Sequence, residues 1–92
     1  MAKARKITRT RLVVGPGFVE LVVWEVPQPV PGSTHNYKYR LAYVVKDVCR
    51  VRNDNERGRG DHCHLDGEER HYSFRGLERL LSDFWHDVNE RR

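Results

Sequence analysis

The sequence has no apolar run long enough to cross a bilayer. Its best candidate, Phe18 to Val26, is interrupted by Glu20 and Glu25 and is less than half of the roughly 20 residues that a spanning helix needs. The first residues, Met1-Ala2-Lys3-Ala4-Arg5-Lys6, are basic but lead into no apolar core of a secretory leader, so a cytoplasmic protein is expected. Cysteine is scarce. Cys49 and Cys63 are the only two, and they form no Cys-x-x-Cys pair, which leaves the zinc-ribbon signature unmet. Both thiols are expected to stay reduced. Lysine is scarce too: of the 17 basic residues 4 are lysine and 13 arginine. No internal repeat and no second domain is visible.

What remains is a chain of 92 residues, 38% hydrophobic and 33% charged, a balance that favours one soluble globular domain over disorder. A domain of this size buries roughly 60–65% of its unfolded surface. That allows one core and no deep cleft, so any chemistry belongs on a sheet surface or at its edge. The net charge of +4, carried mainly by arginine with its bidentate donors, points to a nucleic acid or an acidic protein as partner. A coding bias towards arginine would give the same composition.

Residues 1–6 are expected to form a disordered basic tail. The Thr- and Val-rich stretch Ile7 to Val14 predicts a first strand, closed by a turn at Gly15-Pro16-Gly17. Phe18 to Val26 predicts a second strand, with Phe18, Val22, Trp24 and Val26 on one face and Val19, Leu21 and Val23 on the other. Apolar on both sides, it reads as a central strand. Pro27-Gln28-Pro29-Val30-Pro31-Gly32-Ser33 forbids ladder donation and reads as a stiff connection. Asn36 to Val45 alternates, with Tyr37, Tyr39, Leu41, Tyr43 and Val45 on one side and Lys38 and Arg40 on the other. Lys46-Asp47 closes a hairpin although it lacks the glycine that a primed turn prefers. A fourth strand follows over Val48 to Asn53, and a short further one over Arg70 to Phe74.

Ser73 is the expected N-cap of a helix over Arg75 to Asn89. Leu77, Leu80, Leu81, Phe84, Trp85 and Val88 share one face of it. The implied class is α+β: an antiparallel sheet of four to five strands with one C-terminal helix packed on one face.

Period-2 bookkeeping then divides the strands. If the apolar sides meet the helix, Lys38, Arg40, Arg50 and Arg52 share the open face, joined by Arg9 and Arg11. Clustered like charges call for a counter-charge, either a phosphate backbone or the acids of neighbouring strands. Asp54-Asn55-Glu56-Arg57-Gly58-Arg59-Gly60-Asp61-His62-Cys63-His64 reads as a charged loop in excess of what folding requires. His62 and His64, two apart, point to one side of an extended segment.

Three readings of that loop stay open. The imidazoles, with Asp61, are acid–base candidates for chemistry on RNA, and Arg57 and Arg59 would stabilise charge on phosphorus. They are also candidate metal ligands, although Cys63 would face away from both. Or they satisfy backbone carbonyls of the loop. His35 is a second polar candidate, while His71 and His86 read as structural.

Two blocks carry a resemblance. One is Trp24-Glu25-Val26-Pro27-Gln28-Pro29-Val30-Pro31-Gly32-Ser33-Thr34-His35-Asn36-Tyr37-Lys38-Tyr39-Arg40-Leu41. The other is the charged segment 54–64, followed by Tyr72-Ser73-Phe74 and the helix through Leu81 to Phe84. Together, from about Val14 to Val88, they resemble the TumE-type toxin family of bacterial toxin–antitoxin systems. The resemblance implies growth inhibition, a cytoplasmic protein and a neutralising antitoxin with a helix-turn-helix domain. Action on RNA, with Lys38, Arg40, Arg50 and Arg52 holding phosphates and no cofactor, is the reaction expected beside it.

Overall fold

The computed structural model describes residues 3–92. Six strands form one antiparallel meander, β1 (Arg5–Val14), β2 (Gly17–Glu25), β3 (Tyr37–Val45), β4 (Val48–Glu56), β5 (Gly60–Leu65) and β6 (Glu68–His71), in spatial order β1-β2-β3-β4-β5-β6. The helix α1 (Leu77–Asn89) follows and covers one face. The α+β class and the C-terminal helix are as the sequence implies, with one strand more than the upper expectation.

The additional strand is β5. The segment expected to be a loop is a hairpin: Asp54 to Glu56 prolong β4, Arg57 to Arg59 turn, and Gly60 to Leu65 pair back. Gly58 at φ 81° and Gly60 at φ 75° supply backbone conformations that side chains with a Cβ resist. Gly60 also packs on Gly32 of the proline segment, where an added Cβ would stand 2.8 Å from the Gly32 carbonyl oxygen. The Gly58 N–H donates to the Pro31 carbonyl at 2.6 Å. Backbone conformation therefore accounts for Gly58, and conformation together with close packing for Gly60. The last strand lies slightly earlier than Arg70 to Phe74.

At the N-terminus, Arg5 and Lys6 are not a tail. They pair with Glu25 and Trp24 of β2, and Arg5 bridges Glu25 at 3.0 Å. Residues 1 and 2 lie outside the described residues. The two-residue turn at Lys46-Asp47 forms with both residues at positive φ, 49° and 65°, the type I′ geometry of a tight hairpin.

The core lies between the sheet and α1. Val19, Leu41, Tyr43, Val51, Leu80, Phe84 and Val88 are fully buried, each contributing roughly 1.5–3 kcal/mol by leaving water. Leu80, Phe84 and Val88 repeat at four-residue spacing along the inner stripe, with Leu77, Leu81 and Trp85 packed beside them. The N-cap is Gly76, at φ 109° with no side-chain cap, rather than Ser73. Only the inner side of β2 is closed: Val19 and Val23 are buried, whereas Phe18, Val22 and Trp24 remain half-buried on the open face. The strand is thus not buried on both sides, and an apolar stripe is left outside.

Candidate active site

The register aligns side chains of the open face into two rows that cross the sheet. One runs Arg9, Val22, Arg40, Asp54, His62, His71; the other runs Arg11, Glu20, Ala42, Arg52, His64, Glu69. Lys38 lies one step further along, beside Trp24. Lys38, Arg40 and Arg52 thus share the open face with His62 and His64, as alternation implies.

Arg50 does not. A bulge interrupts the β3–β4 ladder between Tyr43 and Val44, setting Val51 opposite Tyr43 and Cys49 opposite Val44. The extra residue, Arg50, reaches Asp66 at 2.5 Å, and Asp66 also takes Arg91 of the C-terminal segment at 2.8 Å. Arg50 belongs to the junction of sheet and helix end. A bulge is a one-residue insertion that side-chain alternation does not reveal.

Around the histidines the contacts converge on Glu69. Arg59 bonds its Oε1, while His64 Nε2 and His62 Nε2 stand 3.6 and 3.8 Å from the same oxygen. The His62 Nδ1–H donates to the Gly60 carbonyl at 3.1 Å. That fixes its tautomer and leaves Nε2 facing the cluster as a base. His64 Nε2 accepts from Arg52 Nη2 at 2.8 Å, because a guanidinium can only donate; its proton therefore sits on Nδ1. Among the described residues Arg52 Nε has no hydrogen-bond partner, and it lies 3.4 Å from Asp54.

Cys63 points the other way, buried towards the helix, where burial pushes its thiol pKa up. The guanidinium groups of Arg52 and Arg59 engage the His64 nitrogen and the Glu69 oxygen that a cation would need. Among the described residues no group of three His, Cys, Asp or Glu side chains is placed to hold a metal ion.

Asp61 is separated from this cluster. Its side chain alternates to the helix side, where it is buried and accepts three hydrogen bonds: from Ser33 Oγ at 2.6 Å, His35 Nε2 at 2.7 Å and the Tyr39 hydroxyl at 2.7 Å. Burial and this carboxylate raise the Tyr39 pKa. His35 Nδ1 accepts from the Tyr37 N–H at 3.2 Å, and Phe74 stacks on the ring at 3.6 Å between centroids. Asn55 completes the knot, donating to the Tyr37 carbonyl at 2.7 Å and accepting from the Tyr39 N–H at 3.0 Å. Ser33 and His35 both bind the carboxylate rather than each other, so this is not a nucleophile–base pair. It anchors β5 and the proline segment to β3.

Arg57 is exposed on the β4–β5 turn, away from Glu69. With Lys38, Pro29 and Pro31 it lines a groove of about 570 Å³. The sequence reading missed Glu69, the residue on which the cluster converges. Its register opposite His64 depends on β5 and β6, and no local pattern marks it.

The sheet thus has one face under a helix and the other carrying paired histidines among arginines. The sequence matches the family model described as toxin TumE over residues 2–92. The chain belongs to the TumE toxin family. As a TumE-family protein it is the toxin of a toxin–antitoxin system, with a cognate antitoxin as partner. No curated protein and no solved structure matches it. No helix of this TumE-family chain among the described residues is long and apolar enough to cross a membrane.

Proposed function

We propose that this toxin inhibits growth by acting on RNA in the cytoplasm, as a metal-independent endoribonuclease. The observation that carries the reading is the position of His62 and His64 side by side on β5, in the two rows that also hold Arg40 and Arg52, both facing Glu69. In the neutral tautomer whose Nδ1–H is held by Gly60, His62 Nε2 takes the proton of a ribose 2′-hydroxyl. The 2′-oxygen attacks the adjacent phosphorus, forming a 2′,3′-cyclic phosphate, and the 5′-oxygen leaves with a proton. His64 is the donor: once Arg52 turns from its Nε2 to the phosphate, that nitrogen takes up a proton from solvent and passes it to the leaving 5′-oxygen. Arg52 and Arg59 balance charge on the phosphoryl oxygens, and Lys38 and Arg40 hold flanking phosphates. Asp61 and Arg50 act indirectly, through the frame.

Incubation of RNA with purified protein tests this. Wild type is expected to leave 2′,3′-cyclic phosphate ends. His62→Ala and His64→Ala should each lower the rate about 10²–10⁴-fold with unchanged thermal unfolding. Full toxicity of both variants in cells would overturn the catalytic role.

Growth inhibition through binding alone is the second reading. It draws on the closure of the cluster, in which Arg52 engages His64 and Arg59 engages Glu69, as a clamp across β4, β5 and β6 would. It expects no cleavage, and loss of toxicity on charge reversal at Arg40. In either case we infer an antitoxin with a helix-turn-helix domain, as the family resemblance implies.

A further inference from the structure

The half-buried outer side of β2 has no role in the chemistry above. Its residues Val22 and Trp24 stand between cations on both neighbouring strands: Arg9 and Arg40 flank Val22, and Lys6 and Lys38 flank Trp24. Among the described residues, Lys6, Arg9, Lys38 and Arg40 form no ion pair with one another's neighbours or with any acid. Phe18, further along the same side, is already covered by the Arg11 guanidinium, 3.9 Å from its ring centroid. Among the described residues no cation covers Trp24 in this way. It lines an open cavity of about 160 Å³ with Val22, Lys38 and Arg40, smaller than the roughly 300 Å³ and above of ordinary ligand pockets.

We propose that this stripe is a base-stacking subsite for single-stranded RNA, with Trp24 taking one nucleobase and Lys6, Lys38 and Arg40 its flanking phosphates. The inference rests on the RNA reading above and narrows its substrate class. A duplex presents stacked bases and only its phosphate ridges to a flat sheet, and an apolar indole would add nothing to its binding. An unpaired strand offers a free base face beside each phosphate, which is what an aromatic floor between cationic walls complements. An acidic peptide would meet the same charges but gives the indole no planar partner.

The subsite lies three strands from His62, about 14 Å at the usual strand spacing. A strand laid across β3 and β4 over Arg40 and Arg52 would reach from Trp24 to the histidines. In the other direction Lys38 continues into the groove that Arg57 lines.

The test is fluorescence anisotropy of a short unstructured 2′-O-methyl RNA, which lacks the attacking hydroxyl, and of the same strand annealed to its complement. Wild type should bind the single strand more tightly than the duplex. Trp24→Ala should weaken single-strand binding about tenfold, the loss expected for one stacked base, and Trp24→Phe should restore most of it. Unchanged melting of both variants separates this from misfolding.

If Trp24→Ala binds like wild type while Lys38→Glu does not, the stacking subsite is wrong and the RNA reading survives. Duplex binding as tight as single-strand binding has the same meaning. If wild type binds neither probe, the RNA reading itself falls. If Trp24→Ala weakens the antitoxin complex and leaves RNA binding intact, the stripe is a protein interface and the proposal is overturned.

Discussion

Asn53 sits in the middle of the core at 1% exposure, between Leu41 on one side and Cys63 on the other. Among the described residues neither its Nδ2 nor its Oδ1 has a full hydrogen-bond partner; its carboxamide meets only the weakly polar Cys63 thiol, whose pKa it lowers against the larger effect of burial. Two residues along the same strand, Asn55 uses its carboxamide fully, with Tyr37, Tyr39 and Ser33 as partners. The contrast isolates a cost, because a buried polar group left unpaired destabilises by about 1–3 kcal/mol. Asn53→Leu keeps the shape and removes the unpaired groups. It is expected to raise the urea midpoint by the equivalent of about 1 kcal/mol at unchanged slope. A lower midpoint would mean that the carboxamide is paired in solution.

At the scale of elements, the β3–β4 turn is the clearest place for a gain. Lys46 and Asp47 hold left-handed backbone that disfavours L side chains by roughly 1–2 kcal/mol per residue. Both are exposed. Replacing them with Asn-Gly, the preferred type I′ pair, should stabilise the fold by about 1 kcal/mol, measured by thermal unfolding. A loss would show that Lys46 or Asp47 makes a compensating contact.

The sequence alternation of β3 and the three-to-four spacing of α1 were legible because each is local. So was the common side of His62 and His64. β5 was not legible, since Gly60-Asp61-His62-Cys63-His64-Leu65 is polar enough to read as a loop. Asp61 tolerates burial only because Ser33, His35 and Tyr39, 22 to 28 residues away, donate to it. The grouping of Asp61 with the histidines failed for that reason. Glu69 escaped notice because its place depends on two consecutive hairpin registers.

In the whole molecule the sheet keeps its two faces apart: packing and the Asp61 knot, with His35, on the helix side, and Arg40, Arg52, His62 and His64 on the other. What ties the helix end back to the sheet is Asp66, bonded by Arg50 from the β4 bulge and Arg91 beyond α1. The two arginines, Arg50 foremost, hold the Asp66 carboxyl below the usual carboxylate range. A depressed folded pKa means that the unfolded chain takes up the proton first as pH falls. Asp66 therefore adds stability at neutral pH, and the contribution is lost as pH drops through the folded value. Its φ of 49° suits asparagine as well, so Asp66→Asn removes the charge without straining the turn. The variant should melt below wild type at pH 7, and the gap should close in acid. Because the carboxyl is exposed, added salt should also narrow the gap at pH 7. A difference in melting temperature that is the same at every pH would assign the effect to packing of the turn and not to the charge that joins sheet and helix.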